Sequence, residues 1–161
     1  MGGVHFDRGP GLSFHRTQQA PTMSDPRLIM YHKHPTSART RFLRLPYGGI
    51  CGFAALPPQA ELDVEPKGVA KVSWHPAAVL HAAEAELGLA NGSLEIEPGF
   101  RCVVCTGDDT TEILLARFTD IDPPFAMAEA LGGNFIDLTQ ARVLPPIELS
   151  LLRHAYELIL G

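Results

Sequence analysis

The chain has 161 residues, 45% of them apolar and 19% charged, a composition that suits one packed domain and excludes a disordered chain. Its formal charge of −5 is unevenly divided: residues 1–50 carry seven Arg and Lys against Asp7 and Asp25, and residues 51–161 carry six against sixteen acidic residues. The acidic remainder argues against a general nucleic-acid coat, and no apolar run approaches the roughly 18 residues of a membrane span.

Residues 1–26 mix Gly, Pro, Gln, Thr and Ser without apolar periodicity and read as a flexible N-terminal extension, with Met23 a plausible alternative start. They lack the basic-then-apolar layout of a secretory leader. With three cysteines and no such leader there is no disulfide framework to expect, and the cytoplasm is the simplest compartment.

A single domain is expected over residues 27–161. It opens with "RLIMYHKH", a strand whose alternation puts Leu28, Met30, His32 and His34 on one face and Ile29, Tyr31 and Lys33 on the other. "TRFLRL" (40–45) and "GICGFAAL" (49–56) read as strands around the turn "PYGG", and "GVAKVS" (68–73) as another. "PAAVLHAAEAELG" has Pro76 at the first helical position and Gly88 at the C-cap, with Glu84 and Glu86 facing away from an apolar stripe. "SLEIE", "FRCVVCT" and "TTEILLARF" (110–118) read as a three-strand antiparallel meander, the first two joined by a Pro98–Gly99 turn. Asp122 is placed as the cap of a short helix over "PPFAMAEALGG", "NFIDL" reads as a last strand, and "PPIELSLLRHAYELIL" as the final helix. The expected fold is therefore α+β: a mainly antiparallel sheet of about six strands packed against two or three helices.

Three patterns are candidate sites. Cys102 and Cys105 form a C-x-x-C pair, but on a strand residues three apart point to opposite faces, which favours separate structural thiols over a shared metal or a redox couple. His32 and His34 share a strand face at i, i+2, a spacing that allows two imidazoles to reach one divalent metal ion, with Glu95 and Glu97 as possible completing ligands. Arg39 and Arg41 share a face of the next strand and Arg44 lies on the other, while Gly48 and Gly49 offer backbone N–H groups. Together these make a candidate site for a carboxylate or phosphate.

The final helix is apolar around much of its circumference. Ile147, Leu151, Ala155, Leu158 and Ile159 cover one face, and Leu149, Leu152, Tyr156 and Leu160 broaden it. That breadth points to a homodimer through this helix, or to cover from the preceding short helix. No catalytic signature such as G-x-S-x-G, H-E-x-x-H or a P-loop is present. The functional expectation is a soluble, non-catalytic accessory or ligand-binding module that self-associates or takes a small anionic ligand or acidic protein partner, without a cofactor. The alternative is a small metal-dependent enzyme using His32 and His34.

Overall fold

The computed structural model describes residues 25–63 and 75–161. The expected extension up to residue 24 and the expected strand over 68–73 lie outside the described residues. The elements run β1 (Arg27–Lys33), β2 (Thr40–Arg44), β3 (Glu61–Asp63), α1 (Pro76–Leu87), β4 (Leu94–Ile96), β5 (Cys102–Thr106), β6 (Asp109–Phe118), α2 (Phe125–Leu131), β7 (Asn134–Ile136), a 3-10 helix (Leu138–Val143) and α3 (Pro146–Leu160). The fold is α+β, with one mixed and mostly antiparallel sheet of seven strands in the order β3-β5-β6-β1-β2-β7, and β4 also paired to β6.

Alternation along β1 and β6 divides the core between the two faces of this sheet. Ile29, Tyr31, Phe42, Ile113 and Leu115 pack with Leu151, Leu152 and Ala155 of α3 on one face. Leu28, Met30, Leu43, Leu114, Ala116 and Phe118 pack with Ala83 and Leu87 of α1 and Ala128 of α2 on the other. Both faces are therefore covered by helix, and the central strands are buried on both sides. A buried leucine such as Leu151, wholly inaccessible to solvent, contributes about 2–5 kcal/mol against truncation to alanine.

The structure departs from the sequence-based expectation in four places. The meander is not formed: β5 pairs with Asp109–Ile113 of β6, while β4 pairs with Ala116–Phe118 of the same strand. The Glu97–Phe100 turn does close, with the Phe100 N–H donating to the Glu97 carbonyl. It steps the chain along one edge of a ten-residue strand that is long enough to pair with both segments. The other edge of β6 takes β1 in parallel register, from Arg27 opposite Ile113 to Tyr31 opposite Arg117.

The expected strand over residues 49–56 reduces to one bridge, Ile29 to Cys51. Gly52 there has φ +78° and donates to the Leu28 carbonyl, so the chain turns away after a single pairing. Asp122 does not cap α2; Pro124 stands at that position, and the Asp122 carboxylate faces His34. Glu84 does not face water. It is buried in α1, and its Oε2 accepts from the Gly92 and Leu94 N–H groups at 3.0 Å each, closing the loop into β4.

Candidate functional site

The cysteines are the simplest to place. Cys102 and Val104 point into the α3-side core, which leaves Cys105 on the opposite face, partly exposed, with its thiol 3.8 Å from Asp63. Burial pushes the Cys102 thiol up to about 11, away from the thiolate that redox or metal chemistry requires. Burial raises Cys51 further still, with Glu148 adding to the shift. All three thiols are free.

His32 and His34 do share a face of β1, and their ring centroids are 6.3 Å apart. His32 is fully buried, and its Nε2 lies 2.9 Å from the Asp120 carbonyl. That nitrogen must carry a hydrogen to bond a carbonyl, and Nδ1 is buried with no hydrogen-bond partner among the described residues. His34 uses Nδ1 to accept from the Thr36 and Ser37 N–H groups at 3.2 and 3.4 Å, capping the β1–β2 turn, and its Nε2 faces Asp122 at 3.5 Å. The expected completing carboxylates are elsewhere. Glu97 bonds the Tyr31 hydroxyl, and Tyr31 points to the opposite face of β1; Glu95 pairs with Arg117. The sheet itself thus separates both glutamates from the histidines. Among the described residues no three His, Cys, Asp or Glu side chains gather where they could hold a metal ion.

The glycine turn after β2 lies against a carboxylate of the chain's own. Glu148 of α3 is buried; its Oε1 accepts from the Ile50 N–H at 2.6 Å and its Oε2 from the Tyr47 hydroxyl at 3.0 Å. The same hydroxyl accepts from the Cys51 N–H at 2.9 Å. A Cβ at Gly49 would collide with the Glu148 carboxylate, so glycine is required there to let the two meet. Burial, reinforced by the Glu148 charge, raises the Tyr47 hydroxyl well above its ordinary range, so it stays a donor. The turn gives one backbone N–H, that of Ile50, to this internal carboxylate, while the Gly48 N–H donates to the Leu45 carbonyl. Gly48 contributes a carbonyl, which accepts from Arg44 Nε at 3.0 Å.

The arginines surround the β2–β7 end of the sheet. Arg41 lies over the Phe125 ring of α2, 5.4 Å from its centroid, and Phe125 meets Phe135 edge-on at 5.7 Å. Arg39 approaches Asp137 at 3.6 Å. Arg44, on the other face of β2 from Arg41, joins Asn134, Ile136, Arg142 and Val143 in lining an open groove of about 530 Å³, completed by Thr139 and Gln140.

Arg142 is carried by the 3-10 helix, an element absent from the sequence-based expectation. The signal was present in "DLTQ", a capping box: Asp137 accepts from the Thr139 and Gln140 N–H groups, while the Gln140 side chain accepts from the Asp137 N–H. Asp137 is held below the usual carboxylate range, first by the Thr139 hydroxyl, then by those backbone amides and Arg39.

Final-helix residues are covered more fully than their pattern suggested. Leu152 is fully buried, and Leu149 and Tyr156 pack partly buried on the α3-side core. The cover comes from the sheet and its connections, because α2 lies on the opposite face. Leu158 and Leu160 remain as the exposed apolar residues of α3.

No family model matches the chain, and no curated protein matches it in sequence. Among solved structures it is similar to the crystal structure of C. elegans Ap4A hydrolase, at 15% sequence identity and a TM-score of 0.49, over 89% of this chain and 100% of that one. A likeness of that degree assigns neither a family nor an activity.

Proposed function

We propose that the protein is a non-catalytic binding module whose ligand is an anion or an acidic partner, received at the arginine-bearing β2–β7 end of the sheet. The observation that carries this reading is the distribution of hydrogen-bonding capacity. Four guanidiniums, Arg39, Arg41, Arg44 and Arg142, stand around that end, and among the described residues no carboxylate lines the groove between Arg44 and Arg142. Guanidinium groups keep their charge at any physiological pH and match carboxylate and phosphate geometry.

The histidine pair supports the same reading by contrast. His32 Nε2 is committed to the Asp120 carbonyl and His34 Nδ1 to the turn amides, while His34 Nε2 faces Asp122 at 3.5 Å and His32 Nδ1 is buried. Self-association through Leu158 and Leu160 at the end of α3 is a second arm of the proposal, with a smaller apolar surface behind it than the helix pattern alone implied.

Calorimetric titration of the untagged full-length protein with phenyl phosphate and with a glutamate oligomer, at low and high salt, tests the proposal. Saturable binding that weakens with salt and disappears when Arg39, Arg41, Arg44 and Arg142 are all changed to Gln is the expected result. Binding indifferent to those changes would overturn it. So would near-stoichiometric zinc, iron or manganese that is lost in His32→Ala, since that would restore the metal-enzyme alternative.

A further inference from the structure

The groove has more character than a cluster of positive charge. Its Arg44 is held half-buried by the bond from Nε to the Gly48 carbonyl at 3.0 Å, which fixes the guanidinium plane and leaves the two terminal nitrogens to act elsewhere. Its Arg142 has no hydrogen-bond or ion-pair partner among the described residues and stands at the last turn of the 3-10 helix. The two are carried by different elements, a strand of the sheet and a helix bound to the sheet's edge.

Between them the lining is partly apolar. Ile136 is buried in the floor, and Val143 is 61% exposed at the wall. The polar members Thr139 and Gln140 turn their side chains to the capping box, where Thr139 donates to Asp137 and Gln140 accepts from its N–H. Asp137 is thereby engaged from two sides, by the cap and by Arg39. Two guanidiniums beside an apolar floor make a surface of mixed chemistry, and a volume of about 530 Å³ falls within the roughly 300–1,000 Å³ range of small-molecule sites.

We infer that this groove is a binding site for a small amphiphilic oxyanion: a carboxylate or phosphate head group on an apolar body, with Arg44 and Arg142 on the head and Ile136 and Val143 against the body. The inference rests on the anion-binding reading and narrows it to one place and one class of ligand. Arg44 is the pre-positioned contact. Arg142, on an exposed stem, closes on the head group from the opposite wall. The apolar body separates this site from simple counter-ion attraction, which would favour inorganic phosphate as much as an organic phosphate.

The test is a set of titrations of the full chain with phenyl phosphate, benzoate and inorganic phosphate, in wild type, Arg142→Gln, Val143→Asp and the control Arg153→Gln on α3. Phenyl phosphate or benzoate should bind at least about tenfold more tightly than inorganic phosphate, with the two aryl anions distinguishing a phosphate from a carboxylate preference. Arg142→Gln and Val143→Asp should each weaken that binding about tenfold or more, and Arg153→Gln should leave it unchanged. Circular dichroism and the unfolding midpoint, unchanged in all three exposed-site variants, separate lost binding from lost fold. Equal affinity for inorganic and aryl anions would overturn the inference. Binding unaffected by Arg142→Gln yet lost in Arg39→Gln/Arg41→Gln would sink the groove while keeping the broader anion-binding reading. Absence of binding by every anion would sink both.

Discussion

The glycine turn at Tyr47–Ile50 and the groove between Arg44 and Arg142 are neighbours that share Arg44, and each has donors suited to an anion. The turn is already satisfied: Glu148 enters it from α3, takes the Ile50 N–H and the Tyr47 hydroxyl, and is buried. The groove faces solvent with two guanidiniums and, among the described residues, no carboxylate in its lining. The same residue types therefore serve architecture in one place and remain available for recognition in the other. What distinguishes them is whether the fold supplies a partner, and that is decided by the approach of a helix about a hundred residues away in the chain.

The comparison can be broken most forcefully at Glu148. Glu148→Ala leaves the Ile50 N–H unpaired in the core, at a cost of about 1–3 kcal/mol, while the Tyr47 hydroxyl keeps the Cys51 N–H and carbonyl as partners at 2.9 and 3.2 Å. Denaturant unfolding should therefore show a loss of about 1–3 kcal/mol, and acetate should restore part of it by entering the turn. A loss below about 1 kcal/mol would mean that the turn does not depend on its internal anion. Gly49→Ala attacks the same contact from the other partner, where the added Cβ collides with the carboxylate; overpacking of this kind costs about 1–3 kcal/mol. The two changes act on one contact, so their effects should fall short of additivity in a double-mutant cycle.

A smaller effect is expected at Asp137, beside the groove. Its carboxyl is held below the ordinary aspartate range in the folded state, so its contribution is present above that range and is lost as pH falls through the folded-state value. The stability difference between wild type and Asp137→Asn should therefore shrink toward zero on acidification below the usual aspartate range, read from urea midpoints at a series of pH values. A difference that grows on acidification would contradict the capping role. Smallest of all is the expected change in stability at Arg142→Gln: it is an exposed residue without a partner among the described residues, so unfolding should move by less than about 0.5 kcal/mol.

Much of the fold was legible because its cues are local. Pro76 and Gly88 bracket α1, the alternation of β1 reports its two buried faces, and Pro146 opens α3. What escaped depends on distant pairing. Nothing within "SLEIE" says that β4 will lie beside Phe118 rather than beside β5, and nothing within "RLIMYHK" says that its parallel neighbour is β6. Glu84 looked solvent-facing because its helix position was read without the loop that folds back over it.

The same limit applied to the sites. Arg44 was visible on its strand, and Arg39 and Arg41 with it. Arg142 is not conspicuous in the sequence, because its place depends on the capping box at Asp137 and on the return of β7 to the edge of β2. The histidine spacing correctly put two rings on one face, but periodicity cannot say that a carbonyl from the loop after β6 will take one of them.

The most direct test of the central distinction is to follow backbone amide resonances of the full chain as phenyl phosphate is added. The account predicts saturable shifts at Asn134, Ile136, Arg142 and Val143, with the Tyr47–Ile50 turn largely unmoved because Glu148 already occupies it. Shifts centred on Gly49 and Ile50, or on His32 and His34, with the groove unaffected, would contradict it.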